Sequence, residues 1–329
     1  MNQILSVFTG TGAKRQLTGK LGMAVHGCAA LVALAVIYTT TIVYVDLYVM
    51  MVVFLSAMLA LLFINISPGP LGRKDRPGLI DWCLVLASIA VGVYFLLESQ
   101  RIAERITLLF PLETPDLLAA SVLLALTIEA TRRTVGFGLT SVVMVFVVYN
   151  LWGHGLPGAL GFREVSYNHF LDIMMFTSDG LFGVPLRVAA TYAFLFVMFG
   201  TFLSKAGGAE FFYNLSSALA GRRTGGPAKI AVISSGLYGT MSGSPTSDVV
   251  TTGSVTIPIM QRLGYSKPLS GSVEVAASTG GSLLPPVMGS AAFIMAEYTG
   301  IEYREIAIAG IVPAPVSYTH LRAHETVLD

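Results

Sequence analysis

The sequence predicts an all-α polytopic membrane protein, with a small multi-span domain followed by a larger one built on a re-entrant helical hairpin. Three observations predict this. First, 54% of the 329 residues are hydrophobic and only 12% are charged, whereas soluble domains carry roughly 25% charge; mean hydropathy is +0.72. Second, apolar runs approaching the length needed to cross a bilayer, about 20 residues, recur along the chain. Third, the apolar sequence of residues 236–289 is interrupted twice by small polar residues and prolines, at 242–248 and at 278–281, the latter followed by Pro285 and Pro286. Lipid offers no partner to free N–H and C=O groups. Irregular backbone therefore survives in a bilayer only when buried in protein or lining a wet cavity.

Composition also excludes. With net charge +1 and no Lys/Arg run longer than two residues, the chain has no electrostatic footprint for nucleic acid. Cys28 and Cys83 lie in apolar segments and read as buried small hydrophobes, without disulfide or metal spacing.

In chain order, Lys14, Arg15 and Lys20 precede an apolar run from Leu21. The run is too long for a cleaved signal core and reads as a retained anchor. Five spans are expected at residues 21–38, 47–66, 79–97, 117–130 and 138–152, the fourth short and carrying Glu129 near its end. Lys14/Arg15/Lys20, Arg73/Lys74/Arg76 and Arg132/Arg133 then all fall on one side, the cytoplasmic one. Residues 98–116 mix Arg101 and Arg105 with Glu98, Glu104, Glu113 and Asp116 and face outward. All these arginines read as solvated loop charge that orients the protein and does nothing more.

Gly153-His154-Gly155-Leu156-Pro157-Gly158 punctuates the chain and divides a domain at 1–153 from one at 154–315. Residues 162–179 read as an interfacial amphipathic helix. His169 and Asp172 are spaced to share one face of it, but no further metal ligand accompanies them. A span at 184–203 ends at Lys205, and residues 211–220 form a short helix along the membrane. After the basic turn at 222–229, residues 230–238 enter, break at 241–248 and return through 249–260 to Arg262, Gly264, Tyr265, Lys267 and Pro268. The next helix begins near Leu269, breaks at 278–286 and resumes through 287–298, before a loop of Glu302, Tyr303, Arg304 and Glu305. There is no 20–50-residue repeat, and no P-loop, nucleophile elbow or Cys/His metal set.

Asp248 is the most informative residue, because an ionisable group in a re-entrant apolar segment is costly and points to function. Its plain alternative is an N-cap for the helix opening at Val249. Glu274, inside the next helix, carries the same ambiguity. A lone Ser in a membrane helix usually bonds its own backbone. Ser242, Gly243, Ser244 and Thr246 around Pro245 instead form a set suited to a cation or a carboxylate. Broken helix ends offer N–H groups to anions and carbonyls to cations. Ser278, Thr279, Gly280 and Gly281 form a similar set.

At these positions the chain resembles the fused membrane subunit of a tripartite ATP-independent periplasmic (TRAP) transporter of the TAXI-associated type. The resemblance is carried by Gly225-Gly226-Pro227-Ala228-Lys229, Ser242-Gly243-Ser244, Thr251-Thr252-Gly253, Thr256-Ile257-Pro258, Gly264-Tyr265, Val273-Glu274, Ala277-Ser278-Thr279-Gly280-Gly281, Pro285-Pro286-Val287-Met288-Gly289 and Ala292-Phe293-Ile294-Met295-Ala296-Glu297. It covers about residues 170–314; the first 150 residues match in style only. It implies an elevator-type secondary transporter in a bacterial or archaeal inner membrane. A soluble periplasmic TAXI-type protein would deliver the substrate, usually a small carboxylate, and a Na⁺ or H⁺ gradient would drive uptake. Thr252 joins the candidate set, and Ser242, Ser244 and Asp248 become candidate Na⁺ ligands.

Two departures matter. The family often has an amide where Asp248 stands, so the coupling ion stays open between Na⁺ and H⁺. The family's large subunit also has two inverted halves, and this chain is expected to hold the first only, and so not to transport alone. Residues 316–329 resemble translated sequencing-adaptor sequence, where His320 and His324 mimic a helical metal pair. The main alternative is another elevator carrier that takes its substrate directly from solution. An intramembrane enzyme is disfavoured, since the spans hold only His26 and isolated acids. No cofactor beyond the coupling ion is expected.

Overall fold

The computed structural model describes residues 11–43, 45–70, 72, 75–222 and 225–318. Among the described residues every regular element is helical, and extended pairing is limited to one bridge between Lys14 and Ile66. The chain divides into two compact units, Met1–Ala190 and Thr191–Asp329.

The first unit contains α1 (Gly19–Thr41), α2 (Leu47–Asn65), α3 (Leu79–Leu97), the short α4 (Ser99–Glu104), α5 (Thr114–Thr134), α6 (Phe137–Trp152), α7 (Tyr167–Phe176) and α8 (Val184–Val188). α1, α2, α3, α5 and α6 are the five expected spans, the last extended by a 3₁₀ turn to Gly155. α2 opens on Asp46, whose carboxylate accepts the N–H groups of Tyr48 and Val49. α5 is longer than expected, at 21 residues. Pro115 and Asp116 lie in its first turn, where the Asp116 carboxylate accepts the Glu113 N–H at 3.0 Å, and Arg132 and Arg133 lie in its last turn. Its charged ends had read as loop because only the middle is apolar.

The core of this unit gathers Phe63, Phe95, Leu123, Leu126, Leu171 and Met175. α7 is amphipathic as expected, but its apolar face (Phe170, Leu171, Met175, Phe176) packs into that core. Phe95 meets the rings of Phe176 and Phe182 at 5.4 and 5.7 Å.

The arginines correct the expectation of solvated charge. Arg15 and Arg133 are buried on the same carboxylate: Arg133 Nη1 lies 2.7 Å from Asp81 Oδ1, and Arg15 Nη2 bonds Asp81 Oδ2. They also donate to carbonyls at the end of α2, Arg15 to Phe63 and Ile64, Arg133 to Ile66. Helix C-termini leave such carbonyls without intrahelical partners. Arg133 further pairs with Glu129 and lies over the Phe63 ring, 5.0 Å from its centroid. Near the opposite ends of these helices Arg101 binds Asp116 and Glu98, and Arg105 binds Asp172.

Asp172 also accepts the Leu108 N–H, so its carboxylate is engaged by Arg105 and the backbone, and His169 takes no part in the ion pair. No group of three or more His, Cys, Asp or Glu suited to a metal occurs among the described residues. Cys28 and Cys83 are exposed, not buried; in a bilayer the outer face of a helix is itself an apolar environment. Arg73, Lys74 and Arg223, and the adaptor-like stretch from residue 319 on with His320 and His324, lie outside the described residues.

The second unit begins in the 22-residue span Val184–Lys205, which passes from α8 through a π-helical stretch, Ala189–Ala193, into α9 (Phe194–Lys205). Then follow α10 (Gly208–Ala220), α11 (Gly226–Ser242), α12 (Pro245–Thr251), α13 (Gly253–Arg262), α14 (Lys267–Gly281), α15 (Ser290–Thr299) and α16 (Tyr303–Gly310). α11 packs against α10 on one side and α14 on another, with Ala228, Ala231, Met260 and Val273 forming a small core.

The helical hairpin is present, with the first break narrower than expected but within its bounds and the second displaced along the chain. The first shrinks to Gly243 and Ser244. The second moves to residues 282–289, because α14 continues through Ser278, Thr279, Gly280 and Gly281. Small polar residues resemble helix breakers in sequence. Inside a helix, however, the Thr279 hydroxyl bonds back to the Val275 carbonyl at 2.7 Å, which leaves the helix intact.

Candidate functional site

The site grows from the point where α11 stops. Gly243 takes φ +60°, and a Cβ there would fall 2.2 Å from the Met288 carbonyl oxygen. Only glycine fits both the backbone and the space. The two breaks therefore lie against each other, and the Val287 N–H donates to the Thr240 carbonyl at 3.1 Å.

One turn further on, Asp248 is fully buried. Ser244 holds the N-cap position of α12 and its carbonyl accepts the Asp248 N–H at 3.0 Å. Asp248 is thus a first-turn residue and not the cap. Its Oδ1 accepts the hydroxyl of Ser242, while Oδ2, also buried, has no hydrogen-bond partner among the described residues. Beside Oδ2 the backbones of α11 and α14 cross at two glycines. A Cβ on Gly239 would lie 2.6 Å from Gly281 Cα and 3.1 Å from Asp248 Oδ2. A Cβ on Gly281 would lie 3.5 Å both from that oxygen and from the Ser235 carbonyl. The glycines permit the crossing and keep side chains away from the carboxylate.

A second carboxylate, Glu274 on α14, is also fully buried. Its Oε1 lies 2.5 Å from Thr252 Oγ1 and its Oε2 accepts from Thr256 Oγ1 at 2.6 Å. The hydroxyls of Ser235 and Ser278 lie 2.8 Å apart, and that of Ser235 lies 3.5 Å from the Thr252 hydroxyl, so both border the same cluster. None of the ion pairs among the described residues involves Asp248 or Glu274. Buried carboxylates surrounded by hydroxyls, carbonyls and glycines favour a compact cation with oxygen ligands, or a proton, since unpaired negative charge in a low-dielectric interior is costly.

The structure brings Ser242, Gly243, Asp248, Thr252, Glu274, Ser278 and Gly281 together. Ser244 contributes its N–H to Ser242 Oγ at 3.2 Å. Thr246 and Thr279 are exposed and stand outside the cluster. Gly280 packs under the ring of Tyr318, whose hydroxyl donates to the Ala277 carbonyl at 2.9 Å. Ser235, Gly239 and Thr256 were not singled out from sequence. Their spacing held a signal: Ser235 and Gly239, like Thr252 and Thr256, are four apart and so share a helix face.

Residues 122–327 match the model of the family described as tripartite ATP-independent periplasmic transporter, DctM component. The chain is 29% identical to the C4-dicarboxylate TRAP transporter large permease protein DctM of Pseudomonas aeruginosa, over 44% of this chain and 35% of that protein. For the protein of the same name from Rhodobacter capsulatus the identity is 32%, over 36% of this chain and 30% of that one. The isethionate TRAP transporter permease protein DctMQ of Oleidesulfovibrio alaskensis is 26% identical, over 57% of this chain and 29% of its own length. The chain thus spans about a third of the length of these curated relatives. All three are named as transporter permease components, not enzymes.

Proposed function

Since the chain belongs to the DctM-component family of tripartite ATP-independent periplasmic transporters, we propose that this multi-pass inner-membrane protein supplies the membrane passage of a binding-protein-dependent secondary importer. Its substrates are small organic acids, in keeping with relatives named for C4-dicarboxylate and isethionate, and a Na⁺ or H⁺ gradient drives uptake. The partner is a periplasmic binding protein of the TAXI type. The first unit corresponds to the small membrane component fused ahead of the large one, and the second carries the ion and substrate site at the broken helices.

The observation that carries this function is Asp248 Oδ2, buried beside the Gly239–Gly281 crossing and without a hydrogen-bond partner among the described residues. An open carboxylate oxygen at the break of a membrane hairpin suits a coupling cation. Asp248 and Ser242 are the side-chain ligands, the Ser235 carbonyl lies alongside, and Ser244 acts through its backbone. The hydroxyls around Glu274 hold the neighbouring helices in register. The substrate carboxylate binds at the helix ends bordering residues 243–244 and 282–289, where backbone N–H groups are available.

The test is tracer uptake of a C4-dicarboxylate into membrane vesicles from cells expressing the whole open reading frame in which this sequence lies, with and without added binding protein. Uptake that requires the binding protein and follows an imposed Na⁺ or H⁺ gradient is the expected result, and its loss in Asp248→Asn assigns the ion to this site. Equal uptake without the binding protein would favour a carrier loaded directly from solution. Uptake indifferent to both gradients would overturn the coupling.

A further inference from the structure

In the first unit, the connection between α4 and α5 carries an apolar patch that lies outside every span. Residues 106–112 hold no charge, and Ile106, Leu108, Leu109 and Phe110 are each more than half exposed. An exposed cluster of this kind marks contact with a protein or a membrane. On either side of it Ile102 and Leu112 are buried in the same core as Phe95 of α3 and Leu123 of α5. The loop is therefore tethered at both ends beside the ends of these helices. There Leu97, the last residue of α3, and Leu118, in the second turn of α5, are also more than half exposed, and both belong to spans. The patch thus continues the lipid-facing sides of α3 and α5.

The backbone of the loop discriminates between surroundings. The Leu108 N–H donates to Asp172 Oδ2 at 3.0 Å, and the N–H groups of Leu109 and Phe110 both donate to the Ile106 carbonyl at 3.2 Å. Pro111 has no N–H to satisfy. The Phe110 carbonyl accepts from Arg105 Nη1 at 2.7 Å. Residues 108–111 therefore leave no backbone donor open. Water would satisfy such groups itself, whereas lipid offers them no partner. Arg105 is neutralised by Asp172, their side chains being 6% and 5% exposed. Leu108 holds its N–H on that carboxylate at φ +66°, a costly conformation for a non-glycine residue. We propose that residues 106–110 are inserted in the bilayer at the boundary between head groups and acyl chains. Ile106, Leu108, Leu109 and Phe110 lie among the lipids, and the loop anchors the adjoining ends of α3 and α5 at the membrane surface.

The experiment uses the protein expressed from the whole open reading frame, with its cysteines replaced, in nanodiscs of phosphatidylethanolamine and phosphatidylglycerol. Leu109→Cys carries the environment-sensitive fluorophore NBD at an exposed position, so the label does not disturb the core. Its emission is expected to be blue-shifted, to be lost when doxyl-labelled lipid is included, and to be unaffected by iodide. The same label on Glu104→Cys, exposed just before the loop, is expected to be the more sensitive to iodide and the less sensitive to doxyl lipid. Doxyl quenching at Leu109 no greater than at Glu104 would overturn the proposal. Iodide quenching that disappears on adding the periplasmic binding protein would identify a protein-docking face and overturn it too. Quenching by neither agent would place the loop beneath another part of the protein, with the same consequence. The readout is depth in the bilayer and not uptake, so it stands or falls apart from the coupling-ion site.

Discussion

At the scale of single residues, the geometry around Asp248 makes two sharp demands. If its open oxygen receives the coupling ion, replacing KCl by NaCl at constant ionic strength should stabilise the protein or, for a proton, leave it unmoved. Asp248→Asn should abolish any Na⁺-specific shift in unfolding temperature while the fold persists, since the amide is nearly isosteric and can still accept from Ser242. The Gly239–Gly281 crossing is testable separately. Gly239→Ala places a Cβ 2.6 Å from another backbone, and such overpacking costs about 1–3 kcal/mol. Gly27 in α1 has open space where its Cβ would be. Gly27→Ala is therefore expected to be neutral or stabilising by roughly 0.5–1 kcal/mol, the helix-propensity difference. Thermal unfolding of the two variants side by side checks the contrast.

At the scale of elements, the first unit is held by charge at both helix ends as well as by its apolar core. Asp81→Ala would leave the guanidinium groups of Arg15 and Arg133, each with a side chain 1% exposed, without their shared carboxylate. Breaking a buried pair this way costs about 3–5 kcal/mol. Glu98 pairs with Arg101 at a site where both side chains are more than a third exposed, and Glu98→Ala should cost under about 1 kcal/mol. Measured stabilities that failed to separate these variants would show that Asp81 does not organise the helix ends. α5 illustrates why the helix bounds were only partly legible. Its apolar middle was plain from hydropathy, but the terminal charges became helical only through partners elsewhere: Arg101 for Asp116, and Asp81 for Arg133.

At the scale of the whole molecule, the hairpin sets the topology. α12 and α13 run on into one another through Thr252, which keeps helical φ −72° and ψ −39°, and α13 packs back against α11. A chain that doubles back in this way is expected to return to the side it entered from. Single cysteines introduced at Gly221 and Ser266, in a background with Cys28 and Cys83 replaced, should both react with an impermeant maleimide from the cytoplasmic side. A cysteine at Glu302 should react from the opposite side. Labelling of Ser266→Cys from outside would convert the hairpin into a crossing and remove the broken-helix site with it. In the unmodified protein, Cys28 and Cys83 are exposed yet lie within spans, so a lipid-soluble maleimide should label them and an impermeant one should not.

By itself the sequence determined the long apolar helices, a helix break within residues 241–248, and Asp248 and Glu274 as acids set in apolar helical segments. Each of these is a local sum of side-chain transfer free energies, or a departure from one, and such sums are complete within about 20 residues. Only the tertiary structure decided that Arg15 and Arg133 share Asp81, that α14 runs unbroken through Gly281, and that Ser235 and Thr256 join the cluster. It alone placed Gly239 against Gly281 and left one oxygen of Asp248 open. Those outcomes depend on which distant backbones can approach closely enough to exclude a side chain, and on which buried polar group finds a partner across the gap. Close packing settles both, and hydropathy along the chain does not encode either.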